Sequence, residues 1–129
     1  MGLFGSIFGK ASGISTEKNN VPWKRLENLE QLNEIETNSQ TTPQLIFKHS
    51  TTCGISRMVL NLFNDTYDAS TNADVYILDL HSFRNVSNAV ADKFGILHQS
   101  PQLLVIKNGE VTHHASHGGI SDLDLKQLL

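Results

Sequence analysis

Near the carboxyl end of this 129-residue chain, Leu103-Leu104-Val105-Ile106 and a second stretch opening at Val111 flank the dipeptide Asn108-Gly109. Asn-Gly between two apolar runs is the strongest short-range signal for a hairpin, because the two-residue turn that matches strand twist needs positive φ at both positions. That predicts an antiparallel pair late in the chain. Upstream the pattern changes. Leu45-Ile46-Phe47, after Thr42-Pro43, and Val75 to Leu80 read as buried strands, each followed by a segment of helical period. One such segment runs through Ile55, Met58, Val59, Leu62 and Phe63; the other runs from Val86 to Phe94 and is closed by Gly95, as helix ends commonly are. Strands separated by helices pair in parallel. The spacing also predicts a first amphipathic helix of about four turns through Trp23, Leu26, Leu29, Leu32 and Ile35, with Pro22 in its first turn. A last short helix is expected from Asp122 to Leu129, with Ser121 as N-cap. Together these make an α/β domain with a mixed four-stranded sheet and helices on both faces.

Composition narrows the functional classes. The chain is one domain long, and 39% hydrophobic residues can fill its core. Its net charge is −3, and Lys24-Arg25 is its one adjacent basic pair, a poor basis for binding nucleic acid or anionic lipid. No apolar run approaches the roughly 20 residues that span a bilayer, so stable membrane insertion is not expected. A single cysteine, Cys53, excludes an internal disulfide framework and a zinc site built on several thiolates. With no convincing export signal, a lone thiol reads as cytoplasmic. His113 and His114 would face opposite sides of a strand, so with His117 they are not expected to form a metal site. Residues 1–21 differ from the rest. Leu3, Phe4, Ile7 and Phe8 fall on one helical face, but Gly2, Gly5 and Gly9 weaken any helix there. We expect residues 1–21 to be a flexible tail, of which residues 1–20 are dispensable for chemistry, and residues 22–129 to be the domain. A transient membrane or partner anchor is the other reading of that tail.

Cys53 follows the first expected strand and begins the next helix. A helix N-terminus offers unpaired amide protons and the positive end of a dipole, both of which favour the thiolate that acts as nucleophile. The bland alternative, a buried small hydrophobe, sits poorly between Thr51-Thr52 and Gly54. Gly54 leaves room for a ligand or partner backbone to approach. Ser56 stands where a Cys-x-x-Cys motif would carry its second cysteine; it offers the thiolate a hydrogen bond but cannot close a disulfide. A cis bond before Pro101 would free the Ser100 backbone to pair with an extended substrate, whereas a trans proline would simply start an edge strand.

The stretch Lys93-Phe94-Gly95-Ile96 followed by Ser100-Pro101-Gln102-Leu103-Leu104-Val105-Ile106-Lys107-Asn108-Gly109-Glu110 is similar to the corresponding part of thioredoxins, where a cis-proline begins the strand facing the active cysteine. Four separated motifs extend the likeness: Phe47-Lys48-His49-Ser50-Thr51-Thr52-Cys53-x-Ile55-Ser56, Arg84-Asn85-Val86-Ser87-Asn88, His98-Gln99-Ser100-Pro101-Gln102 and Ala115-Ser116-His117. In that order they resemble the monothiol bacilliredoxins of the YtxJ type, over roughly residues 22–129. The resemblance implies a thioredoxin-like fold and a bacterial enzyme of thiol–disulfide exchange. Such an enzyme would use Cys53 to remove a low-molecular-weight thiol, bacillithiol or similar, from S-thiolated cytoplasmic proteins. The thiol is then a co-substrate and no cofactor is bound permanently; a second thiol molecule or a thiol reductase would restore Cys53. Cys53, Ser56 and Pro101 become the candidate catalytic residues. Thr52, Gly54, His49, His98, Ser100, Gly118, Gly119 and Ser121 become candidates for holding substrate, the last three because Gly118-Gly119-Ile120-Ser121-Asp122 resembles the carboxylate-holding stretch of glutaredoxins. An ordinary turn and N-cap is the competing reading of that stretch. Gly54 replaces the proline of many relatives. The resulting Cys53-Gly54-Ile55-Ser56 resembles monothiol glutaredoxins that hold a [2Fe–2S] cluster, and so leaves a cluster carrier as one alternative and a non-catalytic adaptor as another.

Overall fold

A computed structural model describes residues 21–129. The expected amino-terminal tail lies outside the described residues, apart from Val21. The elements are β1 (Lys24–Arg25), α1 (Glu30–Asn38), β2 (Gln44–His49), α2 (Gly54–Thr66), β3 (Asp74–Asp79), α3 (Arg84–Phe94), β4 (Gln102–Lys107), β5 (Glu110–Ser116), a 3-10 helix (His117–Asp122) and α4 (Leu125–Leu128). The strands form one mixed sheet in the order β1-β3-β2-β4-β5. β1 and β2 both run parallel to β3, while β4 is antiparallel to β2 and to β5.

β2 has no exposed residue. That is why it reads as an unbroken apolar run in Leu45-Ile46-Phe47: helices cover both faces of the sheet, and neither side of the strand can be polar at low cost. On one face Leu45, Phe47, Val75, Ile77, Leu103 and Val105 pack with Val59, Leu60, Phe63 and Tyr67 near or on α2. On the other, Ile46, Tyr76, Leu78, Leu104 and Ile106 meet Leu32 and Ile35 of α1 and Val86 and Val90 of α3.

Three expectations need correction. The sheet has five strands, because the segment expected to open a long first helix contributes β1 instead. Trp23 packs on the α2 side of the sheet, whereas Leu26 is buried on the α1–α3 side and Leu29 is exposed. No helix can send positions 23 and 26 to opposite faces of a sheet, while an extended chain crossing its edge can. Second, α2 is rotated from the expected face. It buries Ser56, Val59, Leu60, Phe63 and Asn64, and leaves Ile55, Met58 and Leu62 about half exposed. Third, Ser121 does not cap the last helix. It lies inside the 3-10 helix, and Asp124 is the residue preceding α4.

The hairpin forms as its dipeptide requires, with φ of 55° at Asn108 and 80° at Gly109. It is also tied to the end of α1: Asn108 N donates to Ser39 O (2.8 Å) and Gly109 N donates to the buried Ser39 Oγ (2.8 Å). A β-branched residue at position 109 would be forced into left-handed backbone. Gly109→Val should therefore lower unfolding free energy by about 1–2 kcal/mol or more in a denaturant titration. An unchanged midpoint would contradict this account of the turn.

Candidate functional site

One edge of the sheet gathers the loops that matter. β2 ends there at His49 and β3 at Asp79, β4 begins there at Gln102, and β5 ends there at Ser116. Lys48 is the register partner of Gln102, so the chain reaches Cys53 and leaves Pro101 from adjacent strands at the same end. The Ser100–Pro101 bond is cis. His117 N donates to Pro101 O (3.0 Å), which places the turn bearing Gly118 and Gly119 beside Pro101 at this edge.

Cys53 is the N-cap residue of α2, with extended backbone (φ −105°, ψ 122°), and it is partly exposed. Its carbonyl accepts from Arg57 N (3.1 Å) and its own amide donates to Ser50 O (3.2 Å). Among the described residues no side chain caps the helix. The amides of the first turn have no intrahelical acceptors, so the positive end of the 13-residue helix is directed at the cysteine. Thr52 and Gly54 on either side are exposed, and a Cβ built on Gly54 would meet nothing within 4 Å. Exposed Ile55 and Met58 extend apolar surface away from the thiol along α2.

The loop before Cys53 is held from two sides. Ser56, expected as a hydrogen-bond partner for the thiolate, is fully buried. Its Oγ lies 2.8 Å from His49 Nδ1 and accepts from Ser50 N (3.0 Å); among the described residues it makes no bond to Cys53. The serine thus links the last residue of β2 to the first turn of α2. Across the loop, His81 Nε2 lies 2.8 Å from Ser50 Oγ and 3.1 Å from Thr52 Oγ1. Asp79 in turn fixes the His81 turn by accepting from His81 N (3.2 Å) and Ser82 Oγ (3.0 Å).

His49 and Lys48 are neighbours on β2 and so face opposite sides of the sheet. His49 meets Ser56 on the α2 side. Lys48, fully buried, donates to Ser87 O of α3 (3.2 Å), and its Nζ lies 3.2 Å from His98 Nδ1. Burial lowers the Lys48 pKa to about 8. Burial also holds His49 below the ordinary imidazole range; Asp79 opposes that shift, and Arg57 and His81 add to it. His98 is lowered by burial first, then by the charges of Lys48 and Arg84.

These directions set a sign for pH dependence. A histidine whose folded pKa lies below its unfolded value, about 6.5, binds fewer protons folded than unfolded. Its contribution is therefore complete above about pH 6.5 and is lost as pH falls from there through the folded value. Thermal melts should show Tm declining between about pH 7 and 5, with a shallower decline in His49→Gln. An equal slope in the variant would remove His49 from this account.

Of the residues expected at the site, Cys53, Thr52, Gly54, His49, Ser56, His98, Ser100, Pro101, Gly118 and Gly119 belong to this edge. Pro101 is buried, and Ser100 Oγ is buried with no hydrogen-bond partner among the described residues. Ser121 does not belong to it. It lines a cavity with Val59, Leu62, Phe63 and Tyr67, further along α2 from the cysteine. Sequence reasoning gave no role to His81, Ser87 or Lys48. A lysine directly after the apolar run Leu45-Ile46-Phe47 was the available signal for Lys48, since such a residue is rarely buried without polar partners.

With this geometry in view, the class is defined by an α/β sheet that brings a cysteine at a helix start and a cis-proline to the same end of neighbouring strands: the fold is that of thioredoxins, and it carries a thiol redox site. Solved structures agree. A structure described as having a thioredoxin fold is 28% identical with a TM-score of 0.70, covering 81% of this chain and 91% of that one. Thioredoxin NaTrxh from Nicotiana alata matches with a TM-score of 0.67 at 19% identity, over 89% of this chain and 96% of its own. Thioredoxin from Schistosoma mansoni matches at 0.64 and 14% identity, over 85% and 94%. The family profile described as Monothiol bacilliredoxin BrxC matches residues 24–125, and the chain belongs to that family. Among the described residues no helix is long and apolar enough to cross a membrane.

Proposed function

We propose that this protein removes a low-molecular-weight thiol of the bacillithiol class from S-thiolated proteins of the bacterial cytoplasm. The observation that carries the reading is Cys53 itself: partly exposed at the uncapped start of α2, at the end of the sheet where the cis-Pro101 loop enters β4, with a serine where a resolving cysteine would stand. The Cys53 thiolate attacks the small-thiol sulfur of the mixed disulfide. A new disulfide forms between Cys53 and the small thiol, the old one breaks, and the target protein leaves as a thiolate that takes its proton from water. With Ser56 in place, no internal thiol can expel the cap. A second small thiol or a thiol reductase must then supply the electrons that release it and regenerate Cys53.

In this reading Ser56 and His49 act by fixing the loop, through the hydrogen bonds that join β2 to α2. Pro101 and Ser100 would flank the space beside the thiol, where an extended segment of the target would lie. Thr52, Gly54, His98, Gly118 and Gly119 rim the same edge and would contact the small thiol or the target.

The test is intact-mass measurement. Reduced protein is mixed with a bacillithiolated and, separately, a glutathionylated protein substrate. The expected product carries one small thiol on Cys53, with the bacillithiolated substrate the faster of the two. Correctly folded protein that acquires no adduct from either would eliminate exchange and leave an adaptor role standing.

A further inference from the structure

Two buried polar side chains hold the loop that leads into Pro101, and they are neighbours. Lys48 of β2 and Gln102 of β4 are register partners, so both side chains rise from the same face of the sheet. Gln102, 1% exposed, donates from Nε2 to Leu97 O (3.0 Å) and accepts from Gln99 N (3.4 Å). It fixes the backbone of the loop. Lys48, 0% exposed, reaches past it to Ser87 O and to the ring of His98.

The ring contact has a chemical consequence. An amine and an imidazole nitrogen 3.2 Å apart share one proton between them. Two arrangements satisfy the bond: Lys48 donates to an unprotonated Nδ1, or a protonated Nδ1 donates to a neutral amine. The lysine is the stronger base, with its pKa lowered only to about 8 while His98 is held below the usual imidazole range. The first arrangement therefore holds at neutral pH. The groups acting on the pair are Lys48 on β2, Arg84 and Ser87 on α3, and His98 on its loop; no carboxylate is among them. With Nδ1 accepting, the neutral ring must carry its hydrogen on Nε2. That atom has no hydrogen-bond partner among the described residues and is not among the buried unpartnered atoms, so on this half-buried residue it is not sealed from solvent.

We propose that Lys48 is a positioning residue. By donating to His98 Nδ1 it locks His98 as the neutral Nε2–H tautomer and presents that N–H, on the loop that leads into Pro101, to an acceptor on the bound thiolated protein. The inference rests on the exchange reading for its functional part, while the tautomer itself is independent of any activity.

Long-range ¹H–¹⁵N spectra of the ring, with the wild-type protein at pH 7, read the tautomer directly. The expected result is a protonated Nε2 and an unprotonated Nδ1 on His98. In Lys48→Met, which keeps an unbranched buried side chain, the tautomers should mix and the His98 titration should move to higher pH, because a repelling charge is gone. KM for the thiolated protein should rise about 3- to 10-fold, the worth of one hydrogen bond, with a smaller change in kcat. A wild-type ring protonated on Nδ1 overturns the proposal even if every variant fails to fold. So does a Lys48→Met protein in which tautomer and titration are unchanged. If the spectra agree but no exchange is seen by mass, the site geometry stands and the exchange reading fails.

Discussion

Cys53→Ser is expected to give folded protein that forms no adduct with any thiolated substrate. An alcohol at neutral pH is a far weaker nucleophile than a thiolate, and no second thiol exists in the chain to take over. The stability of the variant should be close to that of the parent, since Cys53 sits partly exposed at a helix start and is not part of either core cluster. Intact mass after incubation with substrate, together with a denaturant melt, separates loss of chemistry from loss of fold. Residual transfer in Cys53→Ser would mean that the reaction does not pass through this residue.

The largest effect on stability is expected at Phe47. It is fully buried in the middle of β2, edge-on to Trp23 (centroids 6.1 Å apart) and to Phe63 (5.7 Å), while the Trp23 indole donates to Asn64 Oδ1 (2.9 Å). Truncation opens a cavity where the amino-terminal segment, the sheet and α2 meet, and aromatic packing beyond simple burial is lost with it. Phe47→Ala should cost about 3–5 kcal/mol, a large share of the roughly 5–15 kcal/mol by which domains of this kind are stable. Urea denaturation with an unchanged m-value is the check. A loss below about 1 kcal/mol would mean that the cluster relaxes around the gap, contrary to close packing. Exchange activity should fall only as far as the folded fraction falls, because the side chain lies inside the core and not at the loop edge.

Much of the architecture was legible because it is locally encoded. The middle of a strand covered on both faces is apolar at successive positions, hence Leu45-Ile46-Phe47 and Val75-Tyr76-Ile77-Leu78. A two-residue turn needs left-handed backbone, hence Asn108-Gly109, and a left-handed helix end is met by Gly95 at φ 69°. The thiol site was legible for a different reason: one cysteine placed between a strand and a helix leaves few readings. Where the sequence misled, the same apolar letters served different neighbours. Trp23, Leu26 and Leu29 share a three-residue spacing, yet the first two are divided by the sheet and the third is left in water. In α2, Ile55, Met58 and Leu62 fit a helical stripe, but the sheet edge turns that stripe outward and buries Ser56 in its place.

What the sequence determined by itself, then, is the order of strands and helices from β2 to β5, the hairpin and the position of the nucleophile. Each follows from residues within a few positions of one another. Only the tertiary structure decided where the polar side chains near Cys53 direct their hydrogen bonds. Lys48 to His98, Ser50 to His81 and Gln102 to Leu97 are chosen by strand register and by which face each residue takes. Two of these bonds join residues 50 and 31 positions apart, a separation over which no local period carries information. They form because a buried amine, hydroxyl or imidazole must find a partner once water is excluded, and only the packed sheet brings that partner within reach.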